Sequence, residues 1–97
     1  MDRAEVIALV TARMSDIRQR FDVEDMAIFG SAARDALRAD SDVDVLVRFA
    51  SPATLPRYMD LKFYLEELLG RPVDLVTDKG LRPEFRPSVE AEALFVG

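Results

Sequence analysis

The sequence predicts a small α/β (α+β) fold, a mixed β-sheet with helices packed on it. Three observations carry that prediction. Helical apolar periodicity fills residues 3–20 and the stretch from Thr54 to about Leu69. Short apolar runs rich in valine occur at 26–29, 43–49 and 72–77. The order that results, α-β-α-β-α-β-α with a short middle helix, suits one sheet layer covered by helices. With 97 residues, the chain is expected to make a single domain over 1–97, near the lower end of what a core supports without staples.

The first helix is expected over residues 3–20. Val6, Leu9, Val10, Met14, Ile17 and Phe21 fall on one stripe, and Asp2 with Glu5 makes a capping-box start. Met26–Phe29 is continuously apolar, as in a strand covered on both faces. Gly30 ends it, and the helix formers in Ser31–Arg38 predict two helical turns before a polar turn at Asp40 and Ser41. Val43–Phe49 reads as the next strand, with Val43, Val45 and Val47 alternating against Asp42, Asp44 and Leu46.

Ala50–Thr54 is a loop, Thr54 caps the following helix, and Gly70 stops it. Tyr58, Leu61, Leu65, Leu68 and Leu69 cluster on one side of that helix. Met59 and Phe63 lie off the stripe and are expected to pack under the C-terminal segment. The alternative is an exposed apolar patch for a partner or a second copy of the chain. Pro72–Thr77 is a third strand with Asp74 at its centre, and Ser88–Leu94 is expected to be a short closing helix.

Composition removes whole classes of chemistry. The chain has no cysteine and no histidine, which excludes disulfides, thiolate or zinc-type sites, and histidine general bases. Any metal must be a hard cation on carboxylates. Net charge is −5, from 13 basic and 18 acidic residues, against stable, sequence-independent nucleic-acid binding. No apolar run reaches the roughly 20 residues of a membrane span, and the expected location is the cytoplasm.

The chemistry concentrates in 26–49. Alternation places Asp42 and Asp44 on one strand face, about 7 Å apart, where like charges repel and desolvation is unfavourable. A divalent cation relieves both. If the third strand pairs beside the second, Asp74 completes a carboxylate triad of the kind that bridges two magnesium ions in in-line nucleotidyl transfer. Gly30-Ser31 supplies a glycine for close approach of a phosphate, a hydroxyl donor, and the N–H groups of a helix start. Arg34, one turn along, is placed to meet a phosphate or an aspartate. Arg57, Lys62 and Arg71 read as solvated surface charges, with phosphate contact the alternative.

Each of these features alone is commonly a turn or a solvated edge; their conjunction is what points to a site. An EF-hand loop starting at Asp40 fails, because Val45 and Ser51 stand where glycine and glutamate are required. No Gly-x4-Gly-Lys phosphate loop occurs.

The motif GS-x10-DxD, in full GSAARDALRADSDVDVLV, resembles the nucleotidyltransferase superfamily and, within it, the minimal nucleotidyltransferases. The resemblance is strong over 26–49 and good over 72–77; the tail PEFRPSVEAEALFV is similar only in general character. It implies the minimal nucleotidyltransferase fold, triphosphate binding by Gly30 and Ser31, and a catalytic magnesium site on Asp42, Asp44 and Asp74. Asp35 departs from the family, which commonly has glycine after the arginine matched by Arg34; an acid there is expected to weaken nucleotide binding. The resemblance further implies an antitoxin that moves AMP from ATP onto a tyrosine of a HEPN RNase toxin. An antitoxin acting by occlusion is the alternative, and transfer to a small molecule is less favoured because 97 residues leave no second substrate domain.

Overall fold

The computed structural model describes every residue from Met1 to Gly97. Its elements are α1 (Arg3–Phe21), β1 (Val23–Phe29), α2 (Gly30–Ala33), β2 (Val43–Phe49), α3 (Leu55–Leu69), β3 (Val73–Thr77), α4 (Arg86–Glu92) and β4 (Leu94–Val96). The strands form one sheet in the order β3-β2-β1-β4. β1 is antiparallel to β2 and to β4, whereas β2 and β3 are parallel and joined through α3.

Both long helices begin where the sequence places their N-caps, and α3 ends at Gly70 as expected. Asp2 accepts a hydrogen bond from the Glu5 N–H at 2.9 Å, and Thr54 accepts one from the Arg57 N–H at 3.3 Å. Asp22 (φ 53°) and Gly70 (φ 68°) close the two helices in the left-handed region. Val6, Val10, Met14, Ile17 and Phe21 of α1 and Leu61, Leu65 and Leu69 of α3 are buried against one sheet face. That face presents Met26, Ile28, Val43, Val45, Val47, Val73 and Leu75. The other face is more open: Ala27 and Leu46 meet Val89 of α4, with Phe29, Val76 and Leu81 around them. Residues 26–28 of β1 are therefore covered on both sides, as their unbroken apolar run predicts.

Three expectations change. The middle helix stops at Ala33 instead of Arg38. Asp35 adopts φ 59°, and the Asp35 and Ala36 N–H groups return to Ala32 and Ser31 carbonyls in a Schellman ending. The Asp35 carboxylate accepts a hydrogen bond from the Arg3 N–H at 2.8 Å, so contact with the start of α1 overrides helix propensity. The chain also closes on a fourth strand, with Met26 opposite Val96 and Ile28 opposite Leu94; Leu94 thus leaves the predicted final helix. Phe63 is 55% exposed, and the C-terminal segment that was to cover it packs on β1 and on the opposite sheet face.

Candidate active site

Strand register assembles the carboxylates. Asp44 lies opposite Phe29 of β1 on one side and opposite Asp74 of β3 on the other. Residues directly opposed in a sheet share a face, so Asp44 and Asp74 emerge together on the open side. Asp42, just before β2, is near enough for its charge to act on Asp44. Arg71 supports this approach by donating to the Arg38 carbonyl at 3.0 Å, beneath the turn that leads into Asp42. Asp42 and Asp74 are exposed, whereas Asp44 is half-buried.

The Asp44 carboxyl is pushed up to about 6 from its ordinary value near 3.8. Burial is the main cause, followed by the Asp74 charge and then the Asp42 charge; Arg34 opposes them. None of the salt bridges in the chain involves Asp42, Asp44 or Asp74. The protein thus gathers negative charge here without neutralising it. An oxygen-only donor set under mutual repulsion fits a hard divalent cation by its chemistry. No group of three carboxylates in the chain, these included, stands close enough together to hold a metal ion as the side chains lie here.

Gly30 borders the group at the end of β1. Its φ is +63°, and a Cβ built there would lie 2.2 Å from Asp44 Oδ2. Glycine is therefore required twice, for the left-handed turn and for the close approach of the carboxylate. Ser31 and Arg34 follow on α2 and at its end. Arg34 donates from Nη1 to Glu92 Oε1 at 2.5 Å, so its ion-pair partner is a glutamate and not an aspartate of the cluster.

Sequence reasoning missed Glu92. Its other oxygen, Oε2, accepts from the Gly30 N–H at 3.1 Å. The only signal was its place at the end of a helix in the tail, which says nothing about a contact so distant in the chain. Arg57 is also absent from the site: it donates to the Ser51 and Pro52 carbonyls and stacks on Phe49, bracing the loop before α3. Two clefts lie elsewhere. One of about 480 Å³ sits at the far ends of β2 and β3 beside Arg48 and Lys79, and one of about 640 Å³ sits along α3 beside Phe63. The carboxylate group occupies the open sheet face between neither.

A Gly-Ser turn set against Asp44, with Asp74 opposite it on the adjacent parallel strand, is the arrangement expected from the resemblance to nucleotidyltransferases. A family model described as the nucleotidyltransferase domain matches residues 13–96. The chain is 38% identical over 92 residues to the protein adenylyltransferase MntA of Thermococcus cleftensis, covering 95% of this chain and 93% of that one. A solved structure assigned provisionally as a minimal nucleotidyltransferase superposes with TM-score 0.84 at 40% identity, covering 97% of this chain and 95% of that one. A Shewanella oneidensis complex of tri-AMPylated HEPN toxin with MNT antitoxin shares the fold, at TM-score 0.66 and 18% identity over 91% of this chain and 69% of that one. The chain belongs to the minimal nucleotidyltransferase family, and its activity is nucleotidyl transfer.

Proposed function

We propose that the protein is a magnesium-dependent adenylyltransferase that acts as an antitoxin, moving AMP from ATP to a tyrosine hydroxyl of a HEPN RNase partner. The observation that carries this reading is the un-neutralised pair Asp44 and Asp74 on the open sheet face, set against Gly30, with the charge of Asp42 acting on Asp44. The acceptor class is supported by the adenylyltransferase MntA and by the fold shared with an AMPylated toxin complex. The net charge of −5 disfavours an RNA acceptor. The work is assigned to the cytoplasm, and no helix is long and apolar enough to cross a membrane.

Gly30, Ser31 and Arg34 bind and orient the triphosphate: Gly30 by letting the backbone approach closely, Ser31 through its hydroxyl, and Arg34 through guanidinium donors. Asp42, Asp44 and Asp74 are the residues that would hold the magnesium, two ions in this reading, whose charge would screen the phosphates and favour departure of pyrophosphate. Asp74 takes the acceptor hydroxyl proton as that oxygen bonds to the α-phosphorus. The bond from the α-phosphorus to its bridging oxygen breaks, and pyrophosphate leaves with the electron pair.

The test uses ATP labelled at the α-phosphate, magnesium and a co-expressed partner, with wild type beside the Asp42→Asn/Asp44→Asn variant. Label on a protein band with wild type alone is the expected result. A stable complex without transfer would overturn the reading in favour of occlusion, and label on a small molecule would overturn the acceptor class.

A further inference from the structure

We propose that Glu92 is a positioning residue for this reaction, holding the Gly30–Ser31 turn and Arg34 in the geometry that receives the triphosphate. The inference rests on the reading of those three residues as the triphosphate-binding group.

Glu92 ends α4, and both of its oxygens are engaged at the site. Oε2 accepts from the Gly30 N–H at 3.1 Å, and Oε1 accepts from Arg34 Nη1 at 2.5 Å. Phe29, the residue at the N-cap position of α2, provides no side-chain cap, so the acceptor for the first N–H arrives from α4 instead. Gly30 has no side chain with which to hold its own left-handed conformation, and a partner on a separate element does so.

The support behind Glu92 is firm. Two residues later the chain enters β4, which pairs with β1 through Leu94 and Ile28. The carboxylate is thereby tied to the same strand that ends in the Gly-Ser turn.

Arg34 stands between two negative centres. Its charge is felt at Asp44, yet its hydrogen bond goes to Glu92. Without Glu92 the guanidinium is drawn toward the aspartates, where it competes with a cation and leaves the phosphate position. One N–H held by Glu92 leaves the remaining guanidinium donors for a phosphate. The pair is substantially exposed, with side-chain exposures of 56% for Arg34 and 34% for Glu92. An ion pair this open adds little to stability, so its effect lies in where Arg34 points.

The experiment compares Glu92→Gln, Arg34→Ala and the double variant with wild type, in adenylyl transfer and in ATP binding by calorimetry. Glu92→Gln keeps an acceptor for the Gly30 N–H and removes the charge that holds Arg34. The expected result is an ATP KM raised about tenfold with kcat within about threefold of wild type. The double variant should be no worse than Arg34→Ala alone, because the two side chains act as one unit. Unchanged KM in Glu92→Gln, additive effects in the double variant, or losses that simply follow a lowered melting temperature would overturn the proposal. Wild type that binds ATP but transfers nothing would sink the functional reading alone, and Glu92 would then be judged by the dissociation constants. Wild type that binds no ATP would sink both.

Discussion

On β2, Val43, Val45 and Val47 face α1 and α3 and are shut away from water, while Asp44 and Leu46 face the side where α4 provides the only helical cover. The closed face is filled from two long helices and carries the large fully buried residues, Met14, Ile17, Met26, Ile28, Leu61 and Leu65. The open face holds a small cluster of Ala27, Leu46 and Val89, and beside it the carboxylates of Asp44 and Asp74. One strand thus serves both sides by alternation alone. Stability is concentrated on one face, which allows the other to carry charges that oppose folding.

Substitutions on opposite sides of the sheet should break differently. Asp44→Asn is expected to lower adenylyl transfer about a thousandfold with the fold intact, as read by labelled-ATP transfer and circular dichroism. Leu65→Ala, on the closed side, should lower stability by about 3 kcal/mol in urea unfolding. Activity measured well below its unfolding midpoint should change little. Equal stability losses from the two would contradict the division between faces.

Gly30→Ala touches both properties. The left-handed backbone costs about 1–2 kcal/mol, measured by denaturant unfolding. The new methyl also displaces Asp44, so activity should fall at least about tenfold beyond any unfolded fraction.

A smaller effect comes from pH. The folded-state value of Asp44, about 6, lies above the ordinary 3.8, so this group opposes folding when ionised. Its penalty is absent below about pH 4, grows as pH rises toward 6, and is full above that. Solvent screening of a half-exposed carboxyl reduces the effect to about 1 kcal/mol. In chelator, Asp44→Asn should be more stable than wild type by that amount at pH 7.5, with the difference gone near pH 4. Added magnesium should raise the melting temperature of wild type but not that of Asp42→Asn/Asp44→Asn.

Asp35→Gly should change least. Glycine suits the φ of 59°, but the replacement loses the carboxylate that accepts from the Arg3 N–H. The two effects oppose, and the net change is expected within about 0.5 kcal/mol. The carboxylate is engaged at the start of α1, so ATP affinity should be almost unaltered. A clear gain in affinity would instead support the sequence expectation that an acid at this position weakens nucleotide binding.

Much of this was legible in the chain itself. The stripes Val6 to Phe21 and Leu61 to Leu69, the caps Asp2 and Thr54, and the Gly-Ser and Asp-x-Asp pairs are local patterns. Each depends on residues within a turn or two, where helix and strand geometry dictate neighbours. Asp44 could be assigned to the face opposite Val43 and Val45 because a strand alternates by rule.

Tertiary structure alone decided the rest. The parallel register that sets Asp74 beside Asp44 is a pairing between separate strands, and the Arg3–Asp35 contact that ends α2 early spans 32 residues. Leu94–Val96 is too short to announce a strand and becomes one only because β1 offers it an edge. Glu92 reaches Gly30 across 62 residues of sequence. Periodicity, capping and turn chemistry are energies of near neighbours, so a sequence displays them directly. Contacts between distant elements exist only after the helices have buried their apolar stripes on the sheet, and no local pattern encodes where they fall.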